Sequence, residues 1–234
     1  MANFKIGEKP SHLHLEFFAP QAGNSLSVAA VRELTAIQKK YARWDRPVVV
    51  SSAHPTLFCS GGNLSEYKKI VGKAGGLKIN REIQNGLRRF ASWNVPKLAL
   101  IEGDVFGGGM EWLAYFDFRW STPNAVFAFW QRRIGLSSGW GGGSVWAKKI
   151  GIENVRRLLL EARLLSSDAA LNLQLIDRVV STWSIHDTAA LWAAEISSLA
   201  TSRLLDWTPQ NEARTFSNLW MGPEHRAVLK KWRS

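Results

Sequence analysis

GDVFGGGMEW, residues 103–112, decides how this chain folds. An apolar run, Leu98–Glu102, precedes it and reads as a strand, while Met110–Phe116 follows and reads as a helix. Between them Gly107, Gly108 and Gly109 let the backbone turn with no Cβ in the way. The first N–H groups of a helix have no partner inside the helix and lie at its positive end. With no side chain in the way, one of the N–H groups at this turn can therefore reach a developing negative oxygen, which is half of an oxyanion hole. Glu111 stands in the first helical turn. A carboxylate there is placed to move a proton at a carbon beside the oxyanion. It is equally a favourable charge at a helix N-terminus, worth about 0.3–1 kcal/mol.

Two further segments concentrate glycine, FCSGGNL at 58–64 and IGLSSGWGGGS at 134–144, and each is read between a strand and a helix. The first, through Ser60, Gly61 and Gly62, is the candidate for the second oxyanion donor. Asn63 is read as a turn or cap residue, and Cys59 as a small packed side chain.

Outward from these turns, strand and helix patterns alternate. His12–Phe18 alternates as a half-buried strand, and Val48–Ser52 is a buried β-branched run. Leu26, Ala30, Leu34, Ile37 and Tyr41 recur at helical spacing within 25–44, with Asn24 or Ser25 as the N-cap. Ile79–Trp93 reads as an amphipathic helix that ends before Pro96. Phe118–Trp120 and Ala125–Phe129 are strand candidates. Glu153–Leu160 is a helix, and Ser166 or Ser167 caps another before a short strand at Arg178–Val180. From His186 the pattern is helical. The fold class is α/β, divided as 1–185, which carries the site, and 186–234, a C-terminal helical oligomerisation part.

Composition narrows the function. The chain has 234 residues, of which 12 are Trp and 11 Phe, too much apolar mass for a disordered segment. The single Cys59 excludes a disulfide scaffold and a cysteine-based zinc site. The five histidines show no ligand spacing, so no metal is expected. His54 reads as a loop residue. No secretory signal and no membrane span is read, which makes a cytoplasmic protein the expectation. The net charge is +11, with Lys68, Lys69, Lys73, Lys78, Arg81, Arg88, Arg89 and Lys97 clustered in one stretch. Such a balance favours a polyanionic or phosphorylated partner.

The ordered set of motifs resembles the crotonase (enoyl-CoA hydratase/isomerase) superfamily. It runs N-S-L-S at 24–27, F-C-S-G-G-N-L at 58–64, P-K-L-A-L-I-E-G at 96–103 and G-G-G-M-E at 107–111. D-F-R at 117–119, I-G-L-S-S-G-W-G-G at 134–142, I-G at 150–151 and L-S-S-D-A-A-L at 165–171 complete it. The resemblance implies a spiral of ββα turns with a C-terminal helical part, assembled as a homotrimer or hexamer. It implies an acyl-CoA thioester as substrate and no separate cofactor. By motif position, the N–H groups of Ser60 and Gly108 would hold the thioester oxygen as an enolate forms. Phe58, Ser60, Gly61 and Gly62 would border the CoA, and Glu111 would be the acid/base.

Family hydratases use two glutamates, and Gln131 stands at the second position, where it can orient a group but neither give nor take a proton. Gly23 stands where many relatives carry a basic residue that reaches the CoA phosphates, which leaves the 68–89 cluster or Lys230 and Lys231 for that task. The segment F-W-Q-R-R-I-G-L-S-S-G-W-G-G resembles the branch that contains ethylmalonyl-CoA decarboxylase. Decarboxylation of a 2-carboxyacyl-CoA needs the same enolate but no water activation, so it is slightly preferred. Arg132 or Arg133, but not both, would face the substrate carboxylate if they lie on a strand. Trp112, Trp130 and Trp140 would narrow the acyl cavity.

Three alternatives stay open. One is a one-glutamate hydratase or isomerase. Another is a catalytically degenerate binding protein for acyl-CoA or RNA, since the basic 66–89 stretch resembles the helix with which one family relative binds RNA. The third is a hydrolase built on the G-x-S-x-G match at 135–139, with Ser137, Asp177 or Asp206, and His225.

Overall fold

A computed structural model describes residues 2–19, 23–197, 204–205 and 207–232. The strands are β1 (Phe4–Glu8), β2 (Leu13–Phe17), β3 (Val48–Ser52), β4 (Leu57–Cys59), β5 (Lys97–Ile101), β6 (Asp104–Phe106), β7 (Phe118–Ser121), β8 (Val126–Ala128), β9 (Leu165–Ser166) and β10 (Arg178–Val179). The helices are α1 (Val28–Lys40), α2 (Leu64–Tyr67), α3 (Gly72–Ala91), α4 (Gly108–Leu113), α5 (Gly142–Ile150), α6 (Ile152–Glu161), α7 (Ser167–Asn172), α8 (Ile185–Ser197), α9 (Glu212–Leu219) and α10 (Pro223–Trp232).

The strands form a six-stranded sheet in the order β1-β2-β3-β5-β7-β10 and a four-stranded sheet in the order β4-β6-β8-β9. Only the β1–β2 and β8–β9 pairs are antiparallel. The chain steps between the sheets in a fixed rhythm. β3 continues into β4 and then α2 and α3, β5 into β6 and α4, and β7 into β8, a 3₁₀ turn and α5. This is a spiral of ββα turns, as the motif order implied. β4 and β6 each deliver the chain to a glycine turn on the same end of the small sheet.

Burial follows the sequence periods. β3 and β5 are sealed on both faces, which their unbroken apolar runs require. The main core lies between the sheets and the helices, with Phe17 edge-on and Phe58 and Phe116 tilted against Trp112 within it. On the outer face of the large sheet, Val49, Leu98, Leu100, Trp120 and Val180 are covered by Ile185 and Ala189 of α8.

Several expectations are revised. Ser27, not Asn24 or Ser25, caps α1, accepting from Ala30 N–H at 3.0 Å. Asn24 takes a left-handed φ of 51° and ties strand ends together. Its Oδ1 accepts from Ala19 N–H, and its Nδ2 donates to Ser52 Oγ and to the Leu57 and Phe58 carbonyls. α3 begins at Gly72, one and a half turns or more before the apolar pattern at Ile79 becomes legible. β4 and β6 are strands of only three residues inside segments read as turns. Residues 130–134 form a 3₁₀ turn rather than the continuation of a strand, so the third glycine segment follows a helix turn. Lys97 leaves the basic cluster: it is buried, paired with Asp117 at 2.8 Å, and caps the Trp93 and Val95 carbonyls.

Candidate active site

A cavity of about 510 Å³ opens where the glycine turns after β4 and β6 meet the loop before α5. Ser60, Gly61, Gly62, Gly107, Gly108, Glu111, Gln131, Gly139 and Trp140 all line it, so the structure brings together nearly every residue the sequence nominated. Phe58 is one exception. Its ring is buried against Trp112, and its carbonyl accepts from Asn24, so it stays in the core. An aromatic ring on a central strand gains more from that burial than from a wet cavity.

The N–H groups at the first candidate oxyanion turn are not equivalent. Ser60 N–H already donates to Asn24 O at 3.3 Å. One residue on, Gly61 takes a φ of 106°, a conformation that favours glycine. Leu26 then pairs in parallel with Gly62 through the Gly61 carbonyl and the Asn63 N–H. In such a ladder Gly62 directs its own N–H to the side away from Leu26. Among the described residues neither Gly62 N–H nor Gly108 N–H donates to a backbone carbonyl. Both residues line the cavity, and both are candidates for the oxyanion donors. A Cβ on either would run into the Trp140 indole, and on Gly62 also into Tyr67, so both positions demand glycine.

Glu111 is 2% exposed and sits in the first turn of α4. Its Oε1 accepts from Gly139 N–H at 3.0 Å and from Gln131 Nε2 at 3.3 Å. Its Oε2 accepts from Trp140 N–H at 2.8 Å and from Gly142 N–H at 3.2 Å. The backbone donors come from the left-handed turn that opens α5, whose first N–H groups have no partner within the helix. A carboxylate offers about four lone-pair directions. All four are filled. Burial pushes the Glu111 carboxyl above its ordinary range, and the hydrogen bonds from Gly139, Trp140, Gln131 and Gly142 pull it back.

Gln131 is 6% exposed. Its Nε2 faces Glu111, which leaves Oε1 buried with no hydrogen-bond partner among the described residues. Turning the amide over would set oxygen against oxygen. An orphan acceptor thus lies buried beside Glu111. Arg133 lines the cavity, while Arg132 turns outward to the Leu160 carbonyl. One arginine faces the cavity, as expected, but through the 3₁₀ turn and not through strand alternation. Trp130 and Trp140 form walls, whereas Trp112 is core. Sequence reading missed Tyr67 and Asn80, which meet Trp140 only in three dimensions. Tyr67 Oη and Trp140 Nε1 each donate to Asn80 Oδ1 at 3.2 Å.

The remaining candidates fall into supporting roles. Asn63 caps α2 by accepting from Glu66 N–H. His54 Nδ1 accepts from Thr56 and Leu57 N–H and serves its loop. Cys59 is buried, and burial pushes its thiol up to about 12. The hydrolase triad does not assemble: Asp177 is paired with Arg119 at 2.7 Å, and His225 Nδ1 accepts from Met221 N–H. Asp206 lies outside the described residues. Among the described residues no cluster suited to a metal ion occurs, and no helix is long and apolar enough to cross a membrane.

The enoyl-CoA hydratase/isomerase family matches residues 9–211. The chain belongs to that family. Crotonase relatives named ethylmalonyl-CoA decarboxylase include one from Danio rerio, 32% identical over 69% of this chain and 54% of its own length. Another, from Mus musculus, is 28% identical over 91% of this chain and 72% of its own length. The chain therefore spans roughly half to three quarters of these relatives. The crystal structure of an enoyl-CoA hydratase from Bacillus anthracis superposes with a TM-score of 0.91 over 99% of this chain and 96% of that one, at 20% identity. One from Mycobacterium smegmatis gives 0.89 over 99% and 97%, also at 20% identity. The crotonase fold is thereby shown, in a superfamily whose curated relatives carry the names of enzymes.

Proposed function

We propose that this crotonase decarboxylates a 2-carboxyacyl-CoA through a thioester enolate. One observation carries the reading: the cavity holds no carboxylate with a free lone pair. Glu111 is saturated by four donors, and the second acidic position is Gln131. Adding water to an enoyl thioester needs a base able to take a proton from water. Loss of carbon dioxide needs none.

The chemistry balances with the groups present. The bond between Cα and the carboxyl carbon breaks, carbon dioxide leaves, and the electron pair passes into the thioester carbonyl. Gly62 N–H and Gly108 N–H stabilise the resulting enolate oxygen as charge develops there. A water then gives a proton to Cα, and one proton is taken up from solvent overall. Gln131 is a positioning residue, its Nε2 held on Glu111 Oε1. In this reading Glu111 fixes the loop that carries Trp140, instead of acting as the acid/base its motif position implied. Ser60, Gly61 and Gly62 border the thioester end of CoA. The +11 charge favours its phosphates.

The same proposal includes assembly as a trimer or hexamer, supported by the exposed Phe216, Trp220 and Val228 on the C-terminal helices. Sedimentation velocity tests it, and a monomer at all concentrations removes it.

Incubation with ethylmalonyl-CoA, methylmalonyl-CoA and crotonyl-CoA, with products followed by mass, tests the reaction. Loss of carbon dioxide from a malonyl-type thioester without hydration of crotonyl-CoA is the expected result. Hydration of crotonyl-CoA alone would establish a one-glutamate hydratase instead. Inertness toward all three, with RNA binding that falls steeply with salt, would favour the binding protein.

A further inference from the structure

The cavity wall contains a donor that no described residue uses. Asn80 projects from α3, and its Oδ1 receives both Tyr67 Oη–H and Trp140 Nε1–H at 3.2 Å. An indole N–H can only donate. The amide orientation is therefore fixed, with oxygen toward Trp140 and nitrogen away from it. The Nδ2 group keeps two N–H donors, and no acceptor for them occurs among the described residues. It lies by Gly139, 3.6 Å from where a Cβ on that residue would stand.

The position suits a substrate group next to the thioester. The indole whose Nε1–H holds Asn80 also lies against Gly62 and Gly108, the candidate oxyanion donors. Asn80 and that pair thus flank a single aromatic ring. Glu111 and Arg133 are the charged residues among those lining the cavity. The negative charge of Glu111 is covered by its four donors. Arg133 is exposed and directs Nε to the Ala162 carbonyl. The cavity wall at Asn80 consequently offers a neutral, pre-oriented donor pair, and the cation among the lining residues is exposed.

We infer that Asn80 selects the substrate by donating Nδ2–H to its 2-carboxylate, an inference that rests on the decarboxylase reading. A neutral amide suits this task better than a lysine or arginine. The carboxylate loses its charge as carbon dioxide forms, so a buried ion pair would stabilise the ground state more than the transition state and slow the reaction. A single amide recognises the carboxylate with a weaker bond that yields as the charge leaves.

The test compares ethylmalonyl-CoA as substrate with butyryl-CoA as competitive inhibitor, which shares the carbon chain and lacks the carboxylate. Asn80→Asp keeps an oxygen for Tyr67 and Trp140 and puts a like charge where the donors were. Its kcat/KM for ethylmalonyl-CoA is expected to fall about a hundredfold. The inhibition constant of butyryl-CoA should hold within about twofold, since nothing it touches has changed. Asn80→Ala removes the donors without adding charge but also takes the acceptor from Tyr67 and Trp140; it should lose about tenfold in kcat/KM, and if the aspartate variant does not fold the comparison is whether that loss exceeds its loss of butyryl-CoA binding. An unchanged kcat/KM overturns the inference. So does a parallel loss of butyryl-CoA binding, which would mean that Asn80 only braces Trp140. A wild-type protein that binds butyryl-CoA but leaves ethylmalonyl-CoA intact would instead remove the decarboxylase reading, and the role of Asn80 with it.

Discussion

Trp140 N–H donates to Glu111 Oε2 at 2.8 Å across a sequence separation of 29 residues. That bond joins the first turn of α4 to the loop before α5 and sets the Trp140 indole against both candidate oxyanion glycines. A glutamate that the motif marks as a proton carrier is thus also the anchor of the cavity wall. The two roles separate on measurement.

Glu111→Gln should lower stability as well as activity. A glutamine brings an NH₂ to a site where every neighbour donates, so at least one backbone N–H loses its acceptor. The cost is about 1–3 kcal/mol, or about 2–4 °C of Tm for each kcal/mol in a chain of this size. Thermal unfolding checks it. An unchanged Tm with activity abolished would return Glu111 to the role of acid/base alone.

Gln131→Glu should move the enzyme toward hydration. It sets a second carboxylate beside Glu111 Oε1, now 3.3 Å from Gln131 Nε2. Two carboxylates this close share a proton, so one of them becomes an acid at neutral pH. The expected outcome is slower decarboxylation of ethylmalonyl-CoA and measurable water addition to crotonyl-CoA above the wild-type background. Product mass ratios decide it.

Gly108→Ala should disable the site without unfolding the core. Its Cβ would collide with the Trp140 ring and push it off the oxyanion position. Loss of one oxyanion donor costs about 10²–10³ in kcat. The assay is steady-state kinetics with circular dichroism as the folding control, and a kcat within threefold of wild type would exclude Gly108 from the hole.

Acid should loosen the outer face of the large sheet. His12 is lowered to about 4, chiefly by burial and then by His14, Lys9 and His186. His14, facing His186, Glu16, Lys9 and Glu102, is lowered as well, again chiefly by burial. Both stay neutral in the folded state and take up a proton on unfolding, so stability drops as pH falls from about 6.5 toward 4. His186 has the opposite sign. Its hydrogen bond to Glu102 raises it, and that contribution is lost as pH rises through the raised value. His12→Gln should therefore lose less Tm than wild type between pH 7 and pH 4.5. Equal losses would show that His12 is not involved.

Cys59 should be inert. With its thiol at about 12 and its side chain buried, almost no thiolate exists at pH 8. A disulfide reagent should label the denatured chain and leave the native one unlabelled over the same interval.

The sequence by itself determined the order of elements and the places where the backbone must turn on glycine, because both depend on local periodicity and on residues lacking a side chain. It placed Glu111 in the first turn of α4 and showed that no second carboxylate follows at 131. Tertiary structure decided what those groups do. Nothing local reveals that Asn24 O occupies the Ser60 N–H, or that Gly61 takes a φ of 106° before Gly62. Nothing local marks Trp112 as core and Trp140 as wall, since both are tryptophans in glycine-rich surroundings. The four donors on Glu111 and the two on Asn80 come from residues 13 to 60 positions away. Hydrogen bonds over such separations depend on how the helices pack, and a linear pattern carries no record of that packing.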